Sequence, residues 1–231
     1  MKLVVISDVH GRSAWKEIVA QNKDVDTFIF LGDYFDSFDI AANEQLLNFK
    51  EIIKFKEENN SKVVLLTGNH DIHYLPYFMN SGEHYSGFQG SRAYEISHLI
   101  QANLSNLQMA YQHGDILFTH AGVTSTWLKN NDFDKNDDII KFINHLFIHR
   151  PAAFRFVGFD PYGDSRESSP VWVRPHSLMS NAYQFNELKQ VVGHTEYKDI
   201  KIVKDQYYFT DSPDSGEYLY IEDNLITIKI Y

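Results

Sequence analysis

The chain contains no cysteine, which removes disulfide staples, thiolate metal ligands and thiol nucleophiles from consideration and agrees with a reducing compartment. Proline is scarce too, at six residues in 231, and no apolar stretch approaches the roughly 20 residues that a membrane-spanning helix requires. The first apolar run, Leu3 to Ile6, is too short for a secretory leader. A soluble, cytoplasmic protein with no membrane partner is therefore expected. Positive charge is in deficit: 21 Lys and Arg against 31 Asp and Glu give a formal net charge of -10. Such a surface repels a polyanion, so no extended nucleic-acid surface is expected. A phosphorylated substrate stays open, because cations bound in a cleft reverse the local field there.

What the chain does have is enough apolar material, 43% hydrophobic and 15% aromatic, for one good core. At this length that predicts a single domain over residues 1–231. Lys2 to Ser7, Thr27 to Leu31 and Lys62 to Thr67 are β-rich apolar runs. Between them, Ser13 to Gln21 suits a short helix. Ile40 to Asn60 places Leu46, Phe49 and Ile53, with Leu47 and Ile52 nearby, at helical spacing. The first 71 residues thus read β-α-β-α-β, the pattern of a parallel sheet with covering helices, and the fold class is α/β. Irregular excursions are expected near 74–94, rich in aromatic residues, and near 150–186, where prolines gather. Arg92 to Leu107 and Ile139 to Ile148 look helical. Gln108 to Gln112 and Ile116 to Thr119 flank a hairpin signal at His113-Gly114-Asp115, and a β-rich tail ends in a hairpin at Asp223-Asn224.

The chemistry sits where these runs stop. Asp26 to Asp36 reads as a buried strand closed by Gly32 and followed at once by Asp33 and Asp36. Three other strand ends carry metal-binding residue types: Asp8-Val9-His10, Gly68-Asn69-His70-Asp71 and His120-Ala121-Gly122. A fifth, Gly193-His194, comes late. Open α/β sheets place their ligands at such C-terminal strand ends. Imidazoles, carboxylates and one amide carbonyl, without thiolate, suit first-row divalent cations: manganese, with iron, zinc or cobalt as alternatives. Using all six of Asp8, His10, Asp33, Asn69, His120 and His194 takes two ions. Paired cations about 3.5 to 4 Å apart clamp an in-line displacement and bring the pKa of a bridging water toward about 7, which supplies hydroxide at neutral pH.

The five blocks, Asp8-Val9-His10, Gly32-Asp33-Tyr34-Phe35-Asp36, Gly68-Asn69-His70-Asp71, His120-Ala121-Gly122 and Gly193-His194-Thr195, together resemble the calcineurin-like metallophosphoesterases in type and order. The resemblance implies a four-layer α/β/β/α sandwich whose sheet ends carry a dinuclear centre, with Asp33 shared, Asp8 and His10 completing one set of ligands and Asn69, His120 and His194 the other. It also implies that His70 faces the phosphate and protonates the leaving group, and, in the serine/threonine phosphatase branch, that an acid at the place of Asp36 orients it. A carboxylate beside an imidazole does fix its tautomer and keep it protonated near neutrality. Two departures stand out. Many family members have a second histidine in the last block, where this chain has Glu196, so the first set has one imidazole fewer unless Glu196 substitutes. Where the serine/threonine branch has Asp-Arg-Gly, this chain has Asp36-Ser37-Phe38, so a phosphate-clamping arginine is missing. Arg174, in Trp172-Val173-Arg174, is similar to a segment of bacterial and phage phosphatases, and its fork suits a phosphoryl group. Arg12, Arg155 and Arg166 are the alternatives.

Outside these blocks the plainer reading applies. His84, His98, His113, His145, His149 and His176 are expected to be surface or hydrogen-bonded residues, and His73 stands open between a structural and a site role. The aromatic residues from Tyr74 to Phe88 are read as a hydrophobic cap, and Asp132 to Asp138 as a solvated loop that starts a helix. The functional expectation is a metal-dependent phosphoric-ester hydrolase acting on a monoester: a phosphoprotein, nucleotide or small phosphometabolite. Phosphodiesterase or nucleotide pyrophosphohydrolase activity is the alternative, and an inactive binding scaffold is the reading from another class.

Overall fold

The apolar runs of the first half lie side by side as strands in a computed structural model, which describes residues 1–82, 84–157, 160, 163–184 and 187–231. β1 (Lys2–Ile6), β2 (Thr27–Phe30), β3 (Val63–Leu66) and β4 (Leu107–Gln108) pair in parallel. On the far side of β1, β10 (Glu217–Glu222) and β11 (Leu225–Ile230) add antiparallel, giving the order β11-β10-β1-β2-β3-β4. The hairpin joining those last two turns at Asp223 and Asn224, both left-handed at φ 49° and 65°, the backbone that a two-residue primed turn demands. A second sheet has the order β5-β6-β7-β9-β8, from β5 (Ala110–His113), β6 (Ile116–Thr119), β7 (Lys189–Val192), β8 (Lys201–Val203) and β9 (Tyr207–Phe209).

Both faces of the inner strands are covered, which is why β1, β2, β3 and β6 read as unbroken apolar runs and not as alternating ones, while the edge strands β8 and β11 are largely exposed. Between the sheets, Leu3, Val5, Ile29 and Leu31 meet Phe118, Val191 and Tyr208. On the outer face of the first sheet, Val4, Phe28 and Phe30 pack with α1 (Ala14–Gln21), α2 (Ala42–Glu58) and α5 (Ala93–Ala102) through Trp15, Phe49 and Ile96. α6 (Ser125–Asn130), α7 (Ile139–His149) and α8 (Pro175–Asn181) cover the outer face of the second. The four layers run α/β/β/α. Among the described residues no helix is long and apolar enough to cross a membrane.

Two details differ from the sequence reading. The run Gln108 to Gln112 is not one strand: β4 closes the first sheet, β5 opens the second, and buried Met109 is the pivot. The backbone groups exposed by that crossover are satisfied from a helix, since Asn144 Oδ1 accepts from Met109 N and Ala110 N at 2.7 and 3.1 Å. In α2, Leu47 is exposed while Gln45 and Asn48 are buried. Burial of those amides is tolerated because Gln45 Nε2 donates to Ile40 O and Asn48 Nδ2 to Arg12 O. The first excursion contains α4 (Pro76–Ser81), started by its proline and stopped at Gly82 in left-handed backbone; α3 (Asn69–Ile72) lies before it. Within the second excursion, residues 158, 159, 161, 162, 185 and 186 lie outside the described residues.

Candidate metal centre

The C-terminal ends of six strands converge on one spot: β1 supplies Asp8 and His10, β2 Asp33 and Asp36, β3 Asn69 and His70, β6 His120, β7 His194 and β9 Asp211. The backbone there is unusual. His10, Asp33, Asp36 and His194 all have left-handed φ, at 42°, 52°, 68° and 65°. Non-glycine residues hold such angles at about 1–3 kcal/mol each, and only where surrounding contacts fix them. For Asp33 the fixing group is Asp71, fully buried, whose carboxylate accepts from the backbone N–H of Asp33, Tyr34 and Gly68 at 2.8 Å each. Gly32, at φ 105°, brings the strand ends close enough that a Cβ there would stand 2.4 Å from Gly68 N.

Each candidate ligand is held from behind and turned inward. Asp33 Oδ1 accepts from His70 N at 2.8 Å, leaving Oδ2 toward the centre. Asp8 accepts from His194 N and from Ser7 Oγ. Nδ1 of His10 meets Phe35 O and Nδ1 of His120 meets Leu31 O, so that their Nε2 atoms face the centre; His194 meets Trp172 O through Nε2 and faces inward with Nδ1. Carbonyl partners of this kind fix the ring orientation of metal-ligating histidines. Asn69 Oδ1 is 2.9 Å from both His120 Nε2 and His194 Nδ1. Asp33 Oδ2 is 3.3 Å from His120 Nε2 and 3.7 Å from His10 Nε2, and Asp8 Oδ1 is 3.9 Å from His120 Nε2. One aspartate oxygen therefore stands within reach of both donor sets.

These distances suit a cation. Donors about 2.1 Å from one ion and at right angles stand about 3 Å apart. The electrostatics agree. Burial, Arg174 and His120 drive the His194 pKa well below the ordinary histidine value, so the ring is neutral. It then has carbonyl oxygens at both nitrogens and a proton for one. For His120, burial opposes charge, but Asp33 and Asp8 outweigh it and raise the ring to about 10. Asp211 is pushed up to about 9 by burial and by Asp8 and Asp33. Without an ion, protons fill this demand for positive charge; the residues present fit divalent cations.

Beside this cluster, His70 Nδ1 is 2.9 Å from Asp36 Oδ2. Although burial opposes it, Asp33 and Asp36 raise the His70 pKa and favour the protonated ring. His10, Arg12, Asp36, His70, Glu196 and Asp211 line an open pocket of about 140 Å³. Glu196 lies exposed on its wall. Arg174 donates to His194 O and Thr195 Oγ1 at 3.2 Å each, in the field of Asp211, Asp33 and Asp8. Arg166 turns away to Ser180, and Arg155 is exposed and lines no part of this pocket.

One acid escapes the sequence reading, and one histidine is undecided by it. Asp211 follows the apolar run Tyr207 to Phe209 and Thr210, the same strand-then-acid signal as the recognised blocks. His73, left open, is completely buried with Nε2 2.6 Å from Asp36 Oδ2. The aromatic cap packs as expected through Tyr74 and Phe78, but Tyr74 also donates its hydroxyl to Asp36 Oδ1. His176 contacts Asp164, exposed His84 stacks on Phe88, and Asp138 caps α7.

Comparison with known proteins accords with this geometry. A profile described as Calcineurin-like phosphoesterase matches residues 1–203. No curated protein matches the chain. Among solved structures, a cold-active protein-tyrosine phosphatase of a psychrophilic Shewanella is similar over 100% of this chain and 78% of its own, at 20% identity and a TM-score of 0.67. A protein serine/threonine phosphatase from Saccharomyces cerevisiae is similar over 100% and 79%, at 15% identity and a TM-score of 0.64. A Sphaerobacter thermophilus metallophosphoesterase is similar over 100% and 88%, at 15% identity and a TM-score of 0.52. With the family profile spanning most of the chain and the strand-end donors gathered in one place, the chain belongs to the calcineurin-like phosphoesterases, metal-dependent hydrolases of phosphoric esters.

Proposed function

We propose that the chain hydrolyses phosphomonoesters at a dinuclear centre held by Asp8, His10, Asp33, Asn69, His120 and His194, with manganese as the resident metal. The observation that carries this is Asp33 Oδ2, placed between His10 Nε2 and His120 Nε2. When bound, the two cations supply positive charge for the phosphoryl oxygens and an acidified water as nucleophile. The chain's own residues supply the rest. Asp36 holds His70 by Nδ1, which leaves Nε2 to give its proton to the departing oxygen. Arg174, and Arg12 on the pocket wall, offer guanidinium groups for equatorial oxygens.

Asp39 and Glu196 make the same pocket acidic, which weighs against polyphosphates and in favour of a single phosphoryl group on a larger body. Phe38, 81% exposed on that pocket, offers an aromatic face to such a body. The neighbours described as protein phosphatases are the basis for placing a phosphorylated protein side chain ahead of a nucleotide or small metabolite.

The test compares p-nitrophenyl phosphate with bis-p-nitrophenyl phosphate, using protein loaded with manganese. The monoester is expected to turn over faster, and His70→Ala to retain its metal while losing about 10²- to 10⁴-fold in kcat on glycerol 2-phosphate, whose basic leaving group needs the proton. A faster diester moves the assignment to phosphodiesterase. Inactivity on both favours a scaffold.

A further inference from the structure

Asp36 is the hub of a network larger than one histidine needs. Its Oδ1 accepts from Tyr74 Oη and from Gln89 Nε2, the latter at 3.4 Å; its Oδ2 meets His70 Nδ1 at 2.9 Å and His73 Nε2 at 2.6 Å. His73 has no exposed surface. Its ring lies parallel to Tyr85 at 5.8 Å and edge-on to Tyr74, Phe88 and His70 at 4.4, 5.0 and 5.7 Å. Nδ1 has no hydrogen-bond partner among the described residues. Asp36 Oδ2 is close to Nε2 but out of line for a straight hydrogen bond, so the contact props and polarises the carboxylate.

An imidazole is a poor choice for filling an aromatic box. A phenyl ring would occupy the same space without burying two polar nitrogens that make no straight hydrogen bond among the described residues. What only the imidazole provides is the contact with Asp36, on the oxygen that holds His70. Burial lowers the His73 pKa, so the ring is neutral and brings no second positive charge beside His70. A carboxylate gripped on both oxygens cannot rotate, and a ring bonded to it cannot turn its Nε2 away from the pocket.

We propose that His73 is a positioning residue: through Asp36 Oδ2 it fixes the ring of His70 in the orientation that delivers a proton to the leaving oxygen. The inference rests on the phosphomonoesterase reading for its kinetic consequence, and on geometry alone for its structural one.

The test uses H73F, which keeps the ring but has no nitrogen, and H73Q, whose amide reaches the place of Nε2. H73N has an amide too short to reach and serves if H73F does not fold. Leaving-group protonation matters most when the leaving group is basic. H73F is therefore expected to lose about 10-fold or more in kcat on glycerol 2-phosphate and about twofold or less on p-nitrophenyl phosphate, with KM and metal content unchanged. H73Q should recover most of the loss. A second readout needs no turnover: in protein loaded with diamagnetic zinc, the downfield proton resonance of His70 Nδ1–H, assigned by its disappearance in His70→Ala, should move or broaden in H73F and return in H73Q. An equal fall on both esters, or a resonance unchanged in H73F, overturns the proposal. If wild-type protein hydrolyses neither ester, the phosphomonoesterase reading fails, and the resonance still decides whether His73 positions the ring.

Discussion

Gly193→Ala isolates the placement of one candidate ligand from every other property of the centre. The backbone at Gly193 is outside the left-handed region, so alanine is conformationally acceptable there. Its Cβ is not. It would stand 1.9 Å from Asp8 Oδ2, 2.9 Å from Asp8 Cγ and 2.9 Å from Ser7 Oγ. To regain ordinary contact near 3.4 Å, Asp8 has to retreat by about 1.5 Å. That displacement breaks the bonds from His194 N and Ser7 Oγ, which hold the carboxylate at 2.9 and 2.6 Å. Active-site groups tolerate about 0.5 Å, and about 1 Å of misplacement costs about 10²-fold in rate. The variant is therefore expected to fold, to bind about one metal equivalent where wild type binds two, and to lose about 10²-fold or more in kcat on p-nitrophenyl phosphate. Metal content by elemental analysis, turnover in excess manganese and a thermal melt check these together. Two bound equivalents and wild-type turnover in Gly193→Ala would refute Asp8 as a ligand of a tightly built site.

Manganese at about 100 times its dissociation constant should stabilise wild type by about 2.7 kcal/mol per ion, about 5–11 °C in Tm for a chain of this size. Asn69→Ala and His120→Ala should each lose one ion's share of that shift, together with turnover, as read by differential scanning calorimetry and a colorimetric phosphate assay. Arg174→Lys keeps the charge but not the fork; kcat/KM on p-nitrophenyl phosphate should fall about 10- to 100-fold, the loss of one charge-assisted bond. In the metal-free protein His120 is raised from 6.5 to about 10 and Asp211 from 3.8 to about 9. Both bind more protons folded than unfolded, so their stabilisation is complete below the unfolded values and is lost as pH rises through the folded ones. His194, held well below the ordinary histidine value, acts in the opposite direction up to about pH 6.5, so metal-free Tm should decline between about pH 7 and 10 and the manganese-induced shift should grow over that range; a metal-free Tm that rises across it contradicts the assignment.

Much of this arrangement is legible in the sequence because burial on both sides leaves a plain mark. Leu3 to Ile6, Phe28 to Leu31 and Leu65 to Leu66 have no polar member, and the acid or histidine after each run marks where the strand leaves the core. Asp211 was missed because its strand is only Tyr207–Phe209, and aromatic side chains there looked like ordinary β-residues. The crossover at Met109 left no local signal at all: it depends on Asn144, 35 positions away, to occupy its backbone groups. Nor is His73 distinguishable in a run of histidines and aromatics. Only the fold shows it to be 2.6 Å from Asp36 and wholly enclosed.

The donor atoms come from both halves of the sandwich, Asp8, His10, Asp33 and Asn69 from one and His120 and His194 from the other, and they are joined across the seam by the Asn69 amide and the His194 N–H. No half of the molecule can assemble this set by itself. Partial opening of either layer would release any bound cation, so denaturation followed by ion release and by circular dichroism should trace one cooperative curve. In such a protein the loss of hydrolysis would coincide with the two layers coming apart.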